Sequence, residues 1–315
     1  MNKRGFIYVI SAGLLVSVLL IVFFSMQDFT FDESVSSKLR RVGFANDFVS
    51  GFNQDLERAL NIASFRSMVA LEEHIASTGS FLNDTEAYFV EVLESGLING
   101  SAYQIMDNSS LSVYLERVNI IASNFGIEVD VQINDIVLDQ FDAWNLFVSI
   151  NASVLILDTT GLANWSYIRV YESVVPISNL RDPLYTVSTR NRVSNTVREF
   201  NKSFSSSNIS NFFEFLEGSY YVESPNAAPS FIQRFSNNVS PSPFGIESLV
   251  DVLEISDQDL DTFPSRVKID FIYFNDLSVP ETVCVIGGVP SGYHLILPNS
   301  SVDKFELNSF VIGCS

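Results

Sequence analysis

The chain opens with a long apolar stretch. Nineteen uncharged residues run from Phe6 to Phe24, directly after Lys3 and Arg4. A membrane-spanning helix needs about 20 mainly apolar residues. Basic residues are retained in the cytoplasm, and all 37 acidic residues lie after the stretch, so we expect the N-terminus inside and the bulk of the chain outside. The pattern therefore predicts a single-pass protein of the cell membrane, in contact with the lipid bilayer.

The next segment has the period of a helix. From Asp28 to Ser77, apolar residues recur every three or four positions without an intervening proline. This spacing predicts an amphipathic helix continuous with the membrane helix, which suits a filament spine or an ordinary stalk. The positions expected on its buried side are Phe31, Val35, Leu39, Val42, Ala45, Val49, Phe52, Leu56, Leu60 and Ala63.

Two shorter helices are predicted after the long one. The first runs from Asp84 to Ser95, with Asn83 and Glu86 as its capping pair. The second runs from Ser110 to Ser123. Its expected apolar face consists of Leu111, Tyr114, Leu115, Val118, Ile121, Ala122 and Phe125.

The apolar period then changes from that of a helix to that of a strand. Alternation predicts strands over Ile127–Val137, Trp144–Asp158 and Asn164–Val175, the last two forming a hairpin. Large apolar residues stand on both faces of these strands, so we expect helices to cover one face of the sheet.

The last 125 or so residues have a weaker pattern, rich in Asn, Ser and Pro at first. Short helices are predicted near Asn211–Leu216 and Ile246–Leu253. Short strands are predicted at Val267–Phe274, Val283–Ile286, Tyr293–Leu297 and Phe310–Gly313.

Together these elements predict an α+β fold. An N-terminal transmembrane helix continues into a long amphipathic helix, which packs on an antiparallel β-sheet, and a small β-rich unit ends the chain. The expected segments are the leader and membrane helix (1–27), the helical stalk with the sheet (28–189), an irregular segment with short helices (190–262) and the C-terminal unit (263–315).

The N-terminus resembles a known export signal. A short basic leader, Lys3-Arg4-Gly5, precedes Phe6 and an unbroken apolar helix, as in the class III signal of type IV pilins. That resemblance implies cleavage between Gly5 and Phe6, followed by packing with copies of itself through the N-terminal helix. Bacterial pilins carry Glu at the place of Ile10, whereas archaeal pilin-like proteins vary there. A permanent signal anchor and a cleaved secretory signal are the two alternatives.

A second resemblance extends over most of the chain. The segments Leu180–Tyr185, Ala228–Phe231 and Phe244–Ser248 are similar to those of uncharacterised archaeal membrane-anchored surface proteins. The resemblance implies the same order of elements, but no activity and no functional residue.

The charge of the chain excludes one class of partner. Beyond the apolar stretch the chain carries 16 of its 18 basic residues and all 37 acidic ones. The net charge of this exterior part is therefore −21. Such a surface repels nucleic acid.

Cysteines and glycosylation sequons suit an exported glycoprotein. Cys284 and Cys314 either form a disulfide, which is plausible outside the cytosol, or remain unpaired thiols. Nine Asn-x-Ser/Thr sequons exceed the roughly four that composition produces by chance. The candidate N-glycosylation sites are Asn83, Asn99, Asn108, Asn151, Asn164, Asn201, Asn208, Asn238 and Asn299.

The sequence contains no catalytic or metal-binding motif. Neither His74, beside two glutamates, nor His294 accompanies a nucleophile motif, so neither is expected to be catalytic. Asp257, Asp259 and Asp261 resemble half of a calcium loop without its glycine and final glutamate. We therefore predict no cofactor and no metal site.

These patterns favour a structural or adhesive surface protein, with a pilin-like filament subunit as the sharper form of that hypothesis. The protein is not expected to be an enzyme. A cell-surface hydrolase acting on glycosides or peptides is one alternative, which two close carboxylates in an aromatic cleft would support. An accessory subunit of a membrane complex is the other.

Overall fold

The computed structural model describes residues 3–289 and 293–315; within the first helix, side chains are described at 17–18, 21–22 and from 35 onward. The chain is α+β, with helices and antiparallel sheets, and this predicted class is confirmed. The helices of the described residues are α1 (Lys3–Thr78), α2 (Thr85–Ser95), α3 (Leu111–Asn124), α4 (Pro183–Ser188), α5 (Ser210–Glu217), α6 (Phe231–Phe235), α7 (Val252–Asp257), α8 (Asp270–Asn275) and α9 (Asn299–Lys304).

The strands form small antiparallel sheets. In chain order they are β1 (Leu97–Ile98), β2 (Ser101–Ala102), β3 (Ile127–Gln140), β4 (Asn145–Asp158), β5 (Asn164–Pro176), β6 (Tyr221–Glu223), β7 (Ile246–Ser248), β8 (Val283–Ile286), β9 (Leu295–Pro298) and β10 (Val311–Cys314). The largest sheets have the orders β3-β4-β5 and β10-β8-β9, while β1 pairs with β2 and β6 with β7.

The chain divides into two compact units that share α1 and the strands β3, β4 and β5. The first contains the chain up to Asp55 together with Val118–Val131 and Ser153–Tyr167. The second contains Leu56–Arg117, Gln132–Ala152 and Ile168–Ser315.

In the first unit, α1 is tied to a turn by Arg41. Its guanidinium donates from Nε (2.8 Å) and Nη2 (2.6 Å) to Asp158 Oδ1, and from Nη2 to the carbonyl of Gly126 (2.8 Å). Gly126 has φ +67°, and a Cβ there would lie 2.8 Å from Arg41 Nη2, so this close approach requires glycine. Hydrogen bonds from the hydroxyl of Thr160 and then from Arg41 hold the pKa of Asp158 below its ordinary value, although burial acts in the opposite direction.

In the second unit, phenylalanines dominate the core. The rings of Phe204, Phe212, Phe215 and Phe305 lie within 5.0–6.5 Å of one another. Leu295 and Leu297 of β9 belong to the same buried cluster, so the C-terminal sheet packs on α5. This cluster explains the many phenylalanines of the Asn/Ser-rich segment, which is irregular before α5, as expected, and yet buries several of its rings.

Two predicted elements were wrong in type. The segment Val267–Phe274, expected as a strand, contains the helix α8, because buried Asp270 starts a helical turn there. The segment Ile246–Leu253, expected as a helix, begins as strand β7, paired with β6. Asp251 then caps α7 by accepting the N–H groups of two following residues.

Two finer predictions were also wrong. Helix α2 is capped by Asp84, which accepts the N–H of Ala87, and the predicted cap at Asn83 is not used.

Burial follows only part of the apolar faces predicted for helices α1 and α3. On α1, the predicted positions Ala45, Phe52, Leu56, Leu60 and Ala63 are buried. Val35, Leu39 and Val42, nearer the N-terminus, are exposed. On α3, Leu111 and Ala122 are buried, but Ile121 and Phe125 are exposed.

Among the residues that the structure describes, no helix contains a stretch long and apolar enough for a membrane crossing. Most side chains of the run Phe6–Phe24, on which the transmembrane prediction rests, lie outside the described part of the chain, as do those of the candidate processing site, Gly5 and Phe6.

Candidate functional site

The second unit buries a large charged side chain completely, that of Arg234 on α6. Its side chain is fully buried together with two carboxylates. Arg234 Nη1 donates to Asp182 Oδ2 at 2.6 Å and to Asp270 Oδ2 at 2.7 Å, and Nη2 donates to the carbonyl of Ile246. One positive charge therefore faces two negative ones away from water, an arrangement that is stable only when further hydrogen bonds support it.

A layer of buried hydroxyl and amide groups supplies those hydrogen bonds. Tyr221 donates its hydroxyl to Asp182 Oδ2 (2.7 Å) and accepts from the amide of Asn195 (2.9 Å). The hydroxyl of Ser248 donates to Asp270 Oδ2 (3.0 Å). The buried ionic centre is the name used below for this group, which consists of Arg234, Asp182, Asp270, Tyr221, Asn195 and Ser248.

Burial and mutual charge shift the pKa values of this centre. Loss of water raises the pKa of Asp270 to about 6, against the opposing pull of Arg234. Burial lowers the pKa of Arg234, but the two aspartates outweigh it and leave that pKa above its ordinary value. Burial followed by the nearby carboxylates also raises the pKa of Tyr221 well above its usual range. Arg234 therefore stays charged, and Asp270 is the group nearest to taking up a proton.

The centre joins three segments that are far apart in sequence. Asp182 lies in Leu180–Tyr185, Arg234 follows Ala228–Phe231, and Ile246 and Ser248 lie in Phe244–Ser248. Two of these segments, Leu180–Tyr185 and Phe244–Ser248, supply hydrogen-bond acceptors to the guanidinium, and Arg234 itself lies three residues after the third. Because no member of the ion pairs is open to solvent, the arrangement can hold the second unit together but cannot reach a substrate.

A further buried carboxylate lies on α1. Glu72 is 8% exposed, and its Oε1 accepts the backbone N–H of Arg181 at 2.9 Å. Burial raises the pKa of Glu72 to about 8, although that hydrogen bond lowers it in part. Glu72 therefore fastens the long helix beside Asp182 at the cost of burying a group that ionises in water.

The second unit also contains a cavity of about 510 Å³. Its walls are mainly aliphatic and proline side chains, with Phe271 as its aromatic member. Glu247, buried at the cavity, accepts hydrogen bonds from the hydroxyl of Ser224 (2.6 Å) and from Lys304 Nζ (2.9 Å). A neutralised and fully bonded carboxylate of this kind is suited to structure rather than to proton transfer.

The other two carboxylates of this cavity are also engaged. Glu223 Oε1 accepts the indole N–H of Trp144 at 2.9 Å. Glu281 accepts the backbone N–H and the hydroxyl of Ser300, at the start of α9. All three carboxylates that line this cavity are therefore engaged in hydrogen bonds.

Cys284 and Cys314 are joined by a disulfide. Cys284 is fully buried on β8, and the backbone pairs it with Cys314 of β10, so the bond closes the C-terminal strand onto the sheet. The two cysteines are 30 residues apart in the sequence.

We expect the double substitution Cys284→Ser with Cys314→Ser to lower the free energy of unfolding by about 3–4 kcal/mol, because a loop of this length loses its constraint in the unfolded chain. Guanidinium denaturation of the full chain measures the change. Reduced wild-type protein serves as the matched comparison and should unfold at the midpoint of the double variant. An unchanged midpoint in both would contradict the expectation.

The candidate glycosylation sites differ in accessibility. Eight of the nine asparagines are exposed, all of them except Asn151. Asn151 lies in the middle of β4, is half-buried, and its side-chain oxygen is enclosed without a hydrogen-bond partner. The exposed eight present their amides to solvent in the fold, whereas Asn151 does not.

The two histidines lie apart from these groups. His74 is partly buried: its Nδ1 contacts the Tyr103 hydroxyl at 2.7 Å, and its ring packs against Tyr88 and Tyr103. Burial lowers the pKa of His74. His294 is exposed just before β9.

The residues Asp257, Asp259 and Asp261 belong to no metal-binding arrangement in the described structure. Within residues 3–289 and 293–315, no group of three or more His, Cys, Asp or Glu side chains is placed to hold a metal ion.

The fold and the buried ionic centre define an α+β protein built on a long N-terminal helix. No known family, curated protein or solved structure matches the chain.

Proposed function

We propose that this protein is a membrane-anchored, extracytoplasmic structural or adhesive surface protein, and that it acts as a pilin-like filament subunit. The observation that carries the proposal is α1, a single helix of 76 residues that begins at Lys3. The apolar run and the amphipathic segment therefore belong to one helix, which is several times the roughly 20 residues needed to cross a bilayer.

Three further observations favour an exterior location. The disulfide between Cys284 and Cys314 is of a kind that persists outside the cytosol. Eight sequons are open to a glycosylating enzyme. The exterior part carries a strongly negative charge, which favours solubility and disfavours binding to anionic polymers.

The proposal is tested at the N-terminus. We expect the protein of native membranes to resist extraction by alkaline carbonate and its N-terminal peptide to begin at Phe6, as the leader resemblance implies. Mass spectrometry of that peptide is the measurement. A soluble protein that begins beyond Gln27 would contradict membrane anchoring itself, because the apolar run would then be a cleaved secretory signal.

Two variants make the result specific. Gly5→Leu removes the residue at the junction and should leave the leader attached. Ala12→Leu lies in the same apolar run, away from the junction, and should be processed normally. A wild-type peptide that retains Lys3 and Arg4 in carbonate-resistant membranes would leave a permanently anchored surface protein and remove the filament subunit from the proposal.

A further inference from the structure

The second unit contains another cavity, and its walls are charged. The cavity has a volume of about 370 Å³, which is within the range of small-ligand sites, and it lies between the segments that follow α4 and α7 and the helix α8. Three of the chain's 18 basic residues line it, namely Arg190, Arg192 and Arg266. This concentration of guanidinium groups runs against the net charge of −19 that the whole chain carries. We call this space the arginine cavity.

Two carboxylates line the same cavity. They belong to Asp259 and Asp261, the last two members of the alternating acidic run that begins at Asp257. Among the described residues, the side chains of Arg190, Asp259 and Asp261 form no hydrogen bond and no ion pair, although opposite charges share one cavity. Their hydrogen-bonding capacity is therefore available to a molecule that enters the cavity. Because arginines line it as well, a metal cation is not the ligand that these carboxylates suit.

The other two arginines are held in place at the wall. Arg266 Nε pairs with Asp276 Oδ1 at 2.8 Å, and its guanidinium lies 3.8 Å from the centre of the Phe263 ring. Arg192 Nη1 donates to the carbonyl of Gln258 at 3.0 Å. A guanidinium has five N–H donors, so these contacts orient the two side chains and leave donors unused.

A buried hydroxyl also lines the arginine cavity. Tyr273 is 2% exposed, and its oxygen accepts the backbone N–H of Phe263 at 3.0 Å. No described residue accepts the hydroxyl proton of Tyr273. A buried donor without an acceptor costs free energy, and a molecule in the cavity can supply the missing acceptor.

The backbone at Arg190 favours a role for its side chain. Arg190 follows α4 with a φ of +56°, a left-handed conformation that glycine and asparagine adopt more easily than arginine does. The side chain is exposed, so packing does not require an arginine at this position. Its charge at the cavity is the remaining reason for the residue type.

We propose that the arginine cavity binds a small zwitterion, a free α-amino acid with a bulky apolar side chain. The carboxylate of the ligand pairs with Arg190 and Arg192, whose guanidinium groups suit a planar anion. The ammonium group of the ligand, which has three donors, binds Asp259 and Asp261. A single molecule thereby satisfies both sets of charges that the fold leaves without partners.

The walls also select the body and the net charge of the ligand. Ile255, Leu260 and Phe274 supply an apolar surface for its side chain. An anionic ligand is repelled by the net negative charge of the protein, and a cationic one by the arginines, whereas a zwitterion avoids both costs. This inference goes beyond the proposed function and does not depend on membrane anchoring.

Three ligands that share a phenyl body test the proposal. L-phenylalanine carries both charges, 3-phenylpropionate only the negative one and phenethylamine only the positive one. Isothermal titration of the full chain in mild detergent should show saturable binding of L-phenylalanine, and binding of either analogue should be at least about tenfold weaker because one set of charged hydrogen bonds is lost.

Each other result of this titration overturns the inference. Equal binding of all three ligands would show an apolar cavity without charge recognition. Binding of 3-phenylpropionate or of phenethylamine as tight as that of L-phenylalanine would show an anion site or a cation site. Absence of L-phenylalanine binding would show that the cavity does not take this class of ligand.

Variants assign the binding to the arginine cavity. Arg190→Gln and Asp261→Asn should each weaken L-phenylalanine binding at least about tenfold, without a change in thermal midpoint, because both side chains are exposed and unpaired in the described structure. The matched controls Arg40→Gln and Asp257→Asn each remove an exposed charge outside the cavity and should bind like the wild type. Wild-type affinity in the two cavity variants, or an equal loss in the controls, would place the binding elsewhere and overturn the inference.

Discussion

Replacing Arg234 by Met is expected to lower the free energy of unfolding by about 3–5 kcal/mol, because the change leaves buried carboxylates without their counter-charge. Asp182 and Asp270 are both fully buried and share Arg234 Nη1. Methionine fills most of the volume but donates no hydrogen bond, so the cost is electrostatic rather than a cavity. Urea denaturation of the full chain in detergent, followed by tryptophan fluorescence, measures the change.

Two matched variants separate this effect from the loss of any arginine. Arg169→Met removes a pair with Glu57 in which both side chains are more than 40% exposed, and it should cost no more than about 1 kcal/mol. Adding Asp182→Asn and Asp270→Asn to Arg234→Met removes the stranded charges and should restore part of the lost stability. Equal losses for Arg234→Met and Arg169→Met would show that the ionic centre has no special role.

The helices and strands that the sequence predicted well are those with a long, clean period and a clear end. Helix α2 ends where Gly96 adopts a positive φ of 77°, and β4 and β5 keep their alternation to within one residue of the predicted bounds. In these segments the local pattern and the tertiary packing favour the same structure, so the pattern is sufficient.

The periodicity of apolar residues could not predict the buried ionic centre. Asp182, Arg234 and Asp270 are single charges in segments without period, and nothing local pairs residues so far apart in sequence. One signal was present: Asp182 followed by proline is a typical helix start, and it caps α4 through the N–H of Leu184. Reading that start correctly would have predicted the helix, though not its charge partner.

The alternation around residue 270 misled for a physical reason. Val267, Ile269, Phe271 and Tyr273 are all buried, as in a strand, yet Asp270 between them is buried as well. The charge of Asp270 is tolerated in the core because it pairs with Arg234, which belongs to another helix, α6. The tertiary ion pair therefore overrides the local preference for a strand.

Glu72 is the second place where a buried charge should control stability, through pH. Its pKa is raised from 4.5 to about 8 in the folded protein, so the folded state binds this proton more tightly than the unfolded state does. The resulting stabilisation is complete below pH 4.5 and is lost as the pH rises through about 8. A shift of this size corresponds to about 4–5 kcal/mol. Glu72→Gln keeps an acceptor for the N–H of Arg181 without the charge.

We therefore expect Glu72→Gln to match the wild type in free energy of unfolding near pH 4.5 and to exceed it by several kcal/mol at pH 9. Glu73→Gln, at the exposed neighbouring position, is the matched control and should stay close to the wild-type curve, because the charge of Glu73 is a minor cause of the raised pKa of Glu72. Asp270, whose pKa is raised to about 6, contributes a change of the same sign in both variants, so it cancels in the comparison. If Glu72→Gln and wild type lose stability in parallel between pH 5 and 9, then Glu72 is not the group that takes up the proton.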